Sequence, residues 1–247
     1  FTSDNFNKYP EVSELLAAMI EEKIRLPFFV QCDAQIFRQE DLVAQLARAG
    51  CFQMFVGVES FRREALRDAH KLQNHPEQYG RIVELCRAHG ITSHFSNILG
   101  FPSDTEEGIR EHADTLRELG PDVASFYILA PIPGTEQYDD FLDGGLITEE
   151  NLDRFDGTAV TWRHPVLRSE RLADLLDGCY REFYSPRNVL ARLGAYASAH
   201  WDFRTPAGLL AIAGYGLQSR LAVAQGDHPM AGGNGRVRRD HVDDYLP

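Results

Sequence analysis

Five short stretches of the chain turn polar, or rich in Gly and Pro, directly after an apolar run: "SDNF" from Ser3, "CD" at Cys32, "GVES" from Gly57, "NILGFP" from Asn97 and "APIPGT" from Ala130. Carboxylates and hydroxyls at such places accept hydrogen bonds, and Gly lets a backbone amide approach a bound molecule closely. Each stretch alone has a plainer reading. Glu59 and Ser60 precede "FRREAL" and read as a helix cap. Asp4 and Asn5 read as a turn before a helix near Pro10, and Asn97 as a satisfied core amide. Five such stretches at corresponding places in successive units predict one ligand site along the rim of a sheet.

Other chemistry finds less support. His70, His75, His89, His94, His112 and His164 include no pair at i, i+4 with an intervening Glu, the spacing a zinc hydrolase uses. "AGGNG" from Ala231 follows no strand and reads as a flexible loop rather than a phosphate cradle. None of the five rims carries a Lys, which weighs against Schiff-base chemistry. Cys32, Cys51, Cys86 and Cys179 are far apart in sequence and lie mostly on apolar faces, as reduced core thiols of a cytoplasmic protein do.

The elements that must position the rim come from a chain of 247 residues, 43% of them apolar, long enough for one large core with an appendage. Its 25 basic and 37 acidic residues give a net charge of -12, which repels phosphate backbones, so no nucleic-acid partner is expected. No run approaches the roughly 20 apolar residues of a membrane span. The first residues, "FTSDNF", lack a Met and read as the start of a fragment.

Strands are expected at Pro27 to Cys32, Gln53 to Val58, Ser93 to Leu99 and Ala124 to Ala130. Helical spacing fills the gaps: Val12, Leu15, Leu16, Met19 and Ile24; Leu42, Val43 and Leu46; Tyr79, Ile82, Val83 and Cys86; Ile109, Ala113, Leu116 and Leu119. Three of these helices close on an Arg followed by a Gly, at Arg48 and Gly50, Arg87 and Gly90, and Arg117 and Gly120. Ser103 and Glu106 have capping-box spacing. Alternation of this kind predicts parallel strands joined by right-handed crossovers, in an α/β barrel or doubly wound sheet. After Gly134 short helices, an edge strand or loop at "TAVTWRHP" and a strong stripe from Leu172 to Phe183 form a mainly helical extension over 151–226; residues 227–247 read as a flexible tail.

The ordered set "FTSDNF", "FVGVES", "NILGFPSDTEEGI" and "YILAPIPGT" resembles the radical S-adenosylmethionine (radical SAM) superfamily, and within it the branch whose members often carry a cobalamin-binding domain ahead of the radical core. The resemblance implies a partial (β/α)6 TIM-like barrel over residues 1–150, of which strands 2 to 6 are present and the first βα unit is missing. It implies S-adenosylmethionine bound to a 4Fe-4S cluster, reductive cleavage to a 5'-deoxyadenosyl radical, and modification of a small-molecule substrate with electrons from a donor such as flavodoxin or ferredoxin. By position, Ser3, Asp4 and Asn5 contact the methionine amine, and Glu59 and Ser60 hold the ribose hydroxyls. Asn97 to Gly100 and Ile128, Ala130 and Pro131 flank adenine. The family's CxxxCxxC triplet is absent, so the cluster ligands are expected upstream, as is any cobalamin domain. The competing reading is a cluster-less barrel that binds a nucleotide or a partner without catalysis.

Overall fold

A computed structural model of the chain describes residues 5–199 and 201–230. In order, the elements are α1 (Val12–Glu21), β1 (Phe28–Asp33), α2 (Glu40–Ala49), β2 (Cys51–Glu59), α3 (Arg63–Asp68), α4 (Tyr79–Ala88) and β3 (Thr92–Leu99), then α5 (Glu106–Leu119), β4 (Val123–Ile128), α6 (Glu136–Asp143), α7 (Ser169–Phe183), α8 (Pro186–Ala199) and α9 (Thr205–Gln225). The four strands form one parallel sheet in the order β1-β2-β3-β4. The four strands expected before Gly134 are each found within two residues of their expected ends, whereas "TAVTWRHP" forms only an isolated antiparallel bridge, between Trp162 and Ile147.

Gly50, Gly90 and Gly120 all take positive φ, as the helix closings require. At Gly50 the need is also steric, since a Cβ there would lie 2.8 Å from the Leu26 carbonyl oxygen, where the chain enters β1. The expected capping box is displaced. Thr105, not Ser103, caps α5, its hydroxyl accepting from the Gly108 N–H at 3.1 Å. Ser103 instead donates to Asp68 at 2.7 Å, tying the loop after β3 to α3.

Alternation along the strands sorts side chains to two faces. Phe95 and Phe126 meet the helices, through edge-on contacts with Tyr79 of α4 and Tyr180 of α7. Gln53, Phe55, His94 and Ser125 line the other face, where Tyr215 of α9 packs edge-on against His94. α9 lies across the start of the strands: Arg204 donates to the carbonyls of Cys51 and His89 at 2.9 and 3.0 Å. By length and composition α9 is apolar enough to cross a membrane, contrary to the sequence expectation. That expectation counted uninterrupted apolar residues, whereas Gly, Tyr, Gln and Ser punctuate a helix with very few charges. About a quarter of it is buried, and its Leu210, Leu217 and Leu221 are exposed.

One edge of the sheet, at β4, is closed among the described residues by side chains rather than another strand. The Tyr184 hydroxyl accepts from the Ala124 N–H at 3.0 Å and donates to its C=O at 2.7 Å. Tyr180, one helical turn earlier, does the same at Phe126, at 3.0 and 2.9 Å. His228 adds a bond to the Phe126 carbonyl at 2.8 Å. Residues 227–230, assigned to the tail in sequence, thus include a contact with β4; the rest of that segment, with "AGGNG", lies outside the described residues.

Two buried histidines make stability depend on pH. Gln53 Nε2 donates to His94 Nδ1 at 2.8 Å, so His94 carries its proton on Nε2 and donates to Ser125 at 2.6 Å. His112 donates from Nε2 to Asn97 Oδ1 at 2.9 Å. Burial lowers His94 to about 3, and burial with the Arg62 charge lowers His112 to about 4, from 6.5. The unfolded chain binds protons below pH 6.5 that the folded one refuses, so stability falls as pH falls through that window. Each group is expected to cost roughly 2 kcal/mol between pH 7 and pH 5. Urea unfolding at the two pH values checks this; His112→Gln, which keeps the donor and cannot titrate, should remove about half the difference, and an unchanged difference would refute the assignment.

Candidate functional site

The C-terminal ends of β2, β3 and β4 meet along one rim. At β2 the ladder to β3 slips, so that Gly57 pairs with Ser96 but Glu59 with Asn97, leaving Val58 as a bulge. Beyond the bulge Glu59 adopts φ 62°, a left-handed conformation that a side chain takes at a cost of about 1–2 kcal/mol. Its carboxylate folds back over Gly57, where a Cβ would come within 2.8 Å of Oε1. Gly57 shares the inner face of the strand with Gln53 and Phe55, so the carboxylate faces the inside of the sheet.

Several buried groups hold this bulge. The Tyr79 hydroxyl donates to the Val58 carbonyl at 2.7 Å, and Asn74 Nδ2 donates to the carbonyls of Gly57 and Val58, each at 3.3 Å. The sequence reading took Tyr79 only as the first apolar residue of a helix and passed over Asn74. The signal for Tyr79 was its type: a buried Tyr needs a partner for its hydroxyl.

The cap reading of Glu59 does not hold. α3 begins after Arg62 with no side-chain cap, and the Glu59 carboxylate has no hydrogen-bond partner among the described residues. Burial pushes its pKa up, partly offset by the Lys71 charge. Ser60 is buried, and its hydroxyl accepts from the Arg62 N–H at 3.2 Å.

At β3 the side chain of Asn97 points away from the rim. Its amide donates to the carbonyls of Phe95 and Ser125, both at 3.1 Å, and its oxygen accepts from His112. The plain reading as a satisfied core amide describes its side chain. Three residues on, Gly100 takes φ 80°, with Leu172 only 2.7 Å from where a Cβ would sit. The Asp104 carboxylate accepts from the N–H groups of Gly100 and Phe101 at 2.9 and 3.0 Å; burial nonetheless pushes its pKa up. At β4 Ile128 and Pro131 are buried and Ala130 is half-buried. The Leu129 N–H donates to the Leu99 carbonyl at 2.8 Å, joining the ends of β4 and β3.

The methionine side of the expected site is less complete. Ser3 and Asp4 lie outside the described residues. Asn5 is exposed, and its carbonyl accepts from the Lys8 N–H at 2.9 Å. Asn7, which the sequence reading missed, binds the Asp33 carboxylate at 2.9 Å and accepts from its N–H at 3.0 Å. Burial would raise the Asp33 carboxyl, but the bonds from Asn7 and Lys8 hold it below its usual value.

A 4Fe-4S cluster needs three thiolates close together. Cys32, Cys51, Cys86 and Cys179 are buried and unpaired, and burial raises all four thiols, Cys51 and Cys179 to about 12. They do not fit a cluster, and among the described residues no group of His, Cys, Asp and Glu could hold a metal ion.

The family model described as Radical SAM superfamily matches residues 1–116. The chain is 28% identical over 173 residues to the bacteriochlorophyllide d C-8(2)-methyltransferase of Chlorobaculum tepidum, covering 68% of this chain and 37% of that one. It is 26% identical over 195 residues to the C-12(1)-methyltransferase of the same organism, covering 78% and 42%. The chain thus spans about two fifths of the length of these curated relatives. Among solved structures, the radical S-adenosylmethionine methyltransferase TsrM of Kitasatospora setae, with cobalamin and a 4Fe-4S cluster bound, aligns with a TM-score of 0.60 at 19% identity, over 91% of this chain and 53% of that one. The shared fold is the partial α/β barrel, represented here by the four parallel strands and their helices.

Proposed function

We propose that the strand-end rim is the nucleoside-binding part of a radical S-adenosylmethionine enzyme, a reading supported by the family model that matches residues 1–116 and by the similarity to the two methyltransferases. One observation carries the reading: Glu59 is a half-buried carboxylate without a partner, held in a strained conformation on the inner face of the sheet. A carboxylate so placed accepts from the two hydroxyls of a ribose. Ser60 supports that side of the rim; the backbone from Leu99 to Gly100 and from Ile128 to Pro131 flanks adenine; Asn5, with Ser3 and Asp4, serves the methionine amine. Residues 1–150 form the core and 151–226 its helical extension.

A 4Fe-4S cluster would have to be held by residues other than these four cysteines, and would supply the electron for reductive cleavage of S-adenosylmethionine. This chain's part is to bind and orient the nucleoside. The relatives are named as methyltransferases, which favours methyl transfer to a small molecule, with cobalamin and an electron donor such as flavodoxin or ferredoxin as the further requirements.

The test is the full-length protein from its natural reading frame, reconstituted with iron and sulfide, reduced and given S-adenosylmethionine. 5'-Deoxyadenosine in the product mixture is the expected result. A frame without CxxxCxxC and a protein that binds S-adenosylhomocysteine but yields no 5'-deoxyadenosine would return the chain to a cluster-less nucleotide binder.

A further inference from the structure

We infer that Trp162 is a positioning residue for base selectivity, the central grip of a strap, Gly157 to Leu167, that fixes the adenine side of the rim. The inference rests on the nucleoside reading above and adds to it residues that lie outside the strand ends.

The strap crosses the ends of β4 and β3 and holds each by a carbonyl or an amide. The Gly157 carbonyl accepts from the Ile128 N–H at 2.8 Å. The Trp162 indole N–H donates to the Leu129 carbonyl at 2.9 Å, and His164 Nε2 donates to the Phe101 carbonyl at 2.8 Å. The His164 ring can serve only this way round: Nδ1 accepts from the N–H groups of Val166 and Leu167 at 3.1 and 2.9 Å, so the proton sits on Nε2. Both side chains are buried. The strap is itself anchored, since Trp162 bridges Ile147 and the Arg163 N–H donates to the Leu146 carbonyl at 2.8 Å.

Peptide planarity turns these grips into direction. The Leu129 carbonyl and the Ala130 N–H belong to one trans peptide and point opposite ways. By holding the carbonyl outward, Trp162 aims the Ala130 N–H away from the strap, and that N–H has no partner among the described residues. On the neighbouring loop Asp104 holds the Phe101 N–H, so the Gly100 carbonyl of the same peptide points away from Asp104, also without a partner. The Leu129 to Leu99 bond fixes the two loops to each other. The result is one donor and one acceptor of set direction on adjoining loops. Adenine offers the complement, a ring nitrogen that accepts and an amino group that donates; hypoxanthine replaces that amino group with a carbonyl.

Calorimetry on the full-length protein tests this, with S-adenosylhomocysteine and S-inosylhomocysteine as the two probes and the thermal midpoint of each sample recorded. The wild type should prefer the adenosyl ligand by about tenfold, the worth of one well-made buried hydrogen bond. Trp162→Phe, which removes the indole nitrogen's bond together with one ring of buried packing, should lose most of that preference by weakening the adenosyl ligand alone. His164→Asn, which keeps an acceptor for the two N–H groups but loses the bond to Phe101, should shift it the same way and stands in if Trp162→Phe does not fold. A lower midpoint with the preference intact, or equal weakening of both ligands, would make the strap a structural brace and overturn the inference. A wild type that binds neither ligand would instead remove the nucleoside reading on which it rests.

Discussion

Glu59→Gly should make the protein more stable and S-adenosylmethionine binding weaker. The two effects have separate causes. At φ 62° a Gly has no side chain to strain, and relief of about 1 kcal/mol is expected, or some 2–4 °C in the thermal midpoint of a chain of this size. Burial also penalises the ionised carboxylate when no ligand is bound, so its removal adds to the gain. The ligand loses charge-assisted hydrogen bonds worth roughly 1.5–3 kcal/mol, a fall in affinity between about tenfold and a hundredfold. Calorimetry with S-adenosylhomocysteine and a melting curve on the same full-length preparation read both. Glu59→Gln should weaken binding with less gain in stability, because the left-handed strain remains. If Glu59 were a helix cap, the Gly variant would melt lower and bind normally.

That contrast also shows how far the sequence could be read. "FVGVES" marked the place where an apolar strand meets a carboxylate, and alternation with its neighbours aligned that place with the other strand ends. The bulge at Val58 and the backbone strain at Glu59 could not be read, because they depend on Tyr79 and Asn74 holding carbonyls from 16 to 21 residues away. Asn97 shows a different limit. All but one of the residues of β3 are buried, so alternation divides them into two faces without saying which meets the helices. Contacts with the helices decide it, His112 with Asn97 and Tyr79 with Phe95. Helix ends were legible where a Gly had to take positive φ, and misplaced by two residues at Thr105, where Ser103 had a stronger partner in Asp68.

The second large effect concerns the edge of β4, where the aromatic stripe of α7 read in sequence as ordinary packing. An unpaired edge strand exposes N–H and C=O groups, and here two hydroxyls on successive helical turns occupy them. Burial pushes both phenols up, so each keeps the proton it donates. Replacing either Tyr by Phe leaves the ring in place and takes away only the oxygen. At Ala124 that orphans a buried donor and a buried acceptor, and at Phe126 the donor alone, since His228 still serves the carbonyl. At about 1–3 kcal/mol per orphaned group, Tyr184→Phe is expected to cost roughly 2–6 kcal/mol and Tyr180→Phe roughly 1–3. Urea unfolding of the purified chain should show that order, with the double variant prone to associate through the opened edge. Equal costs, or losses within the few tenths of a kcal/mol of an ordinary surface change, would mean that the edge is held by packing and not by the hydroxyls.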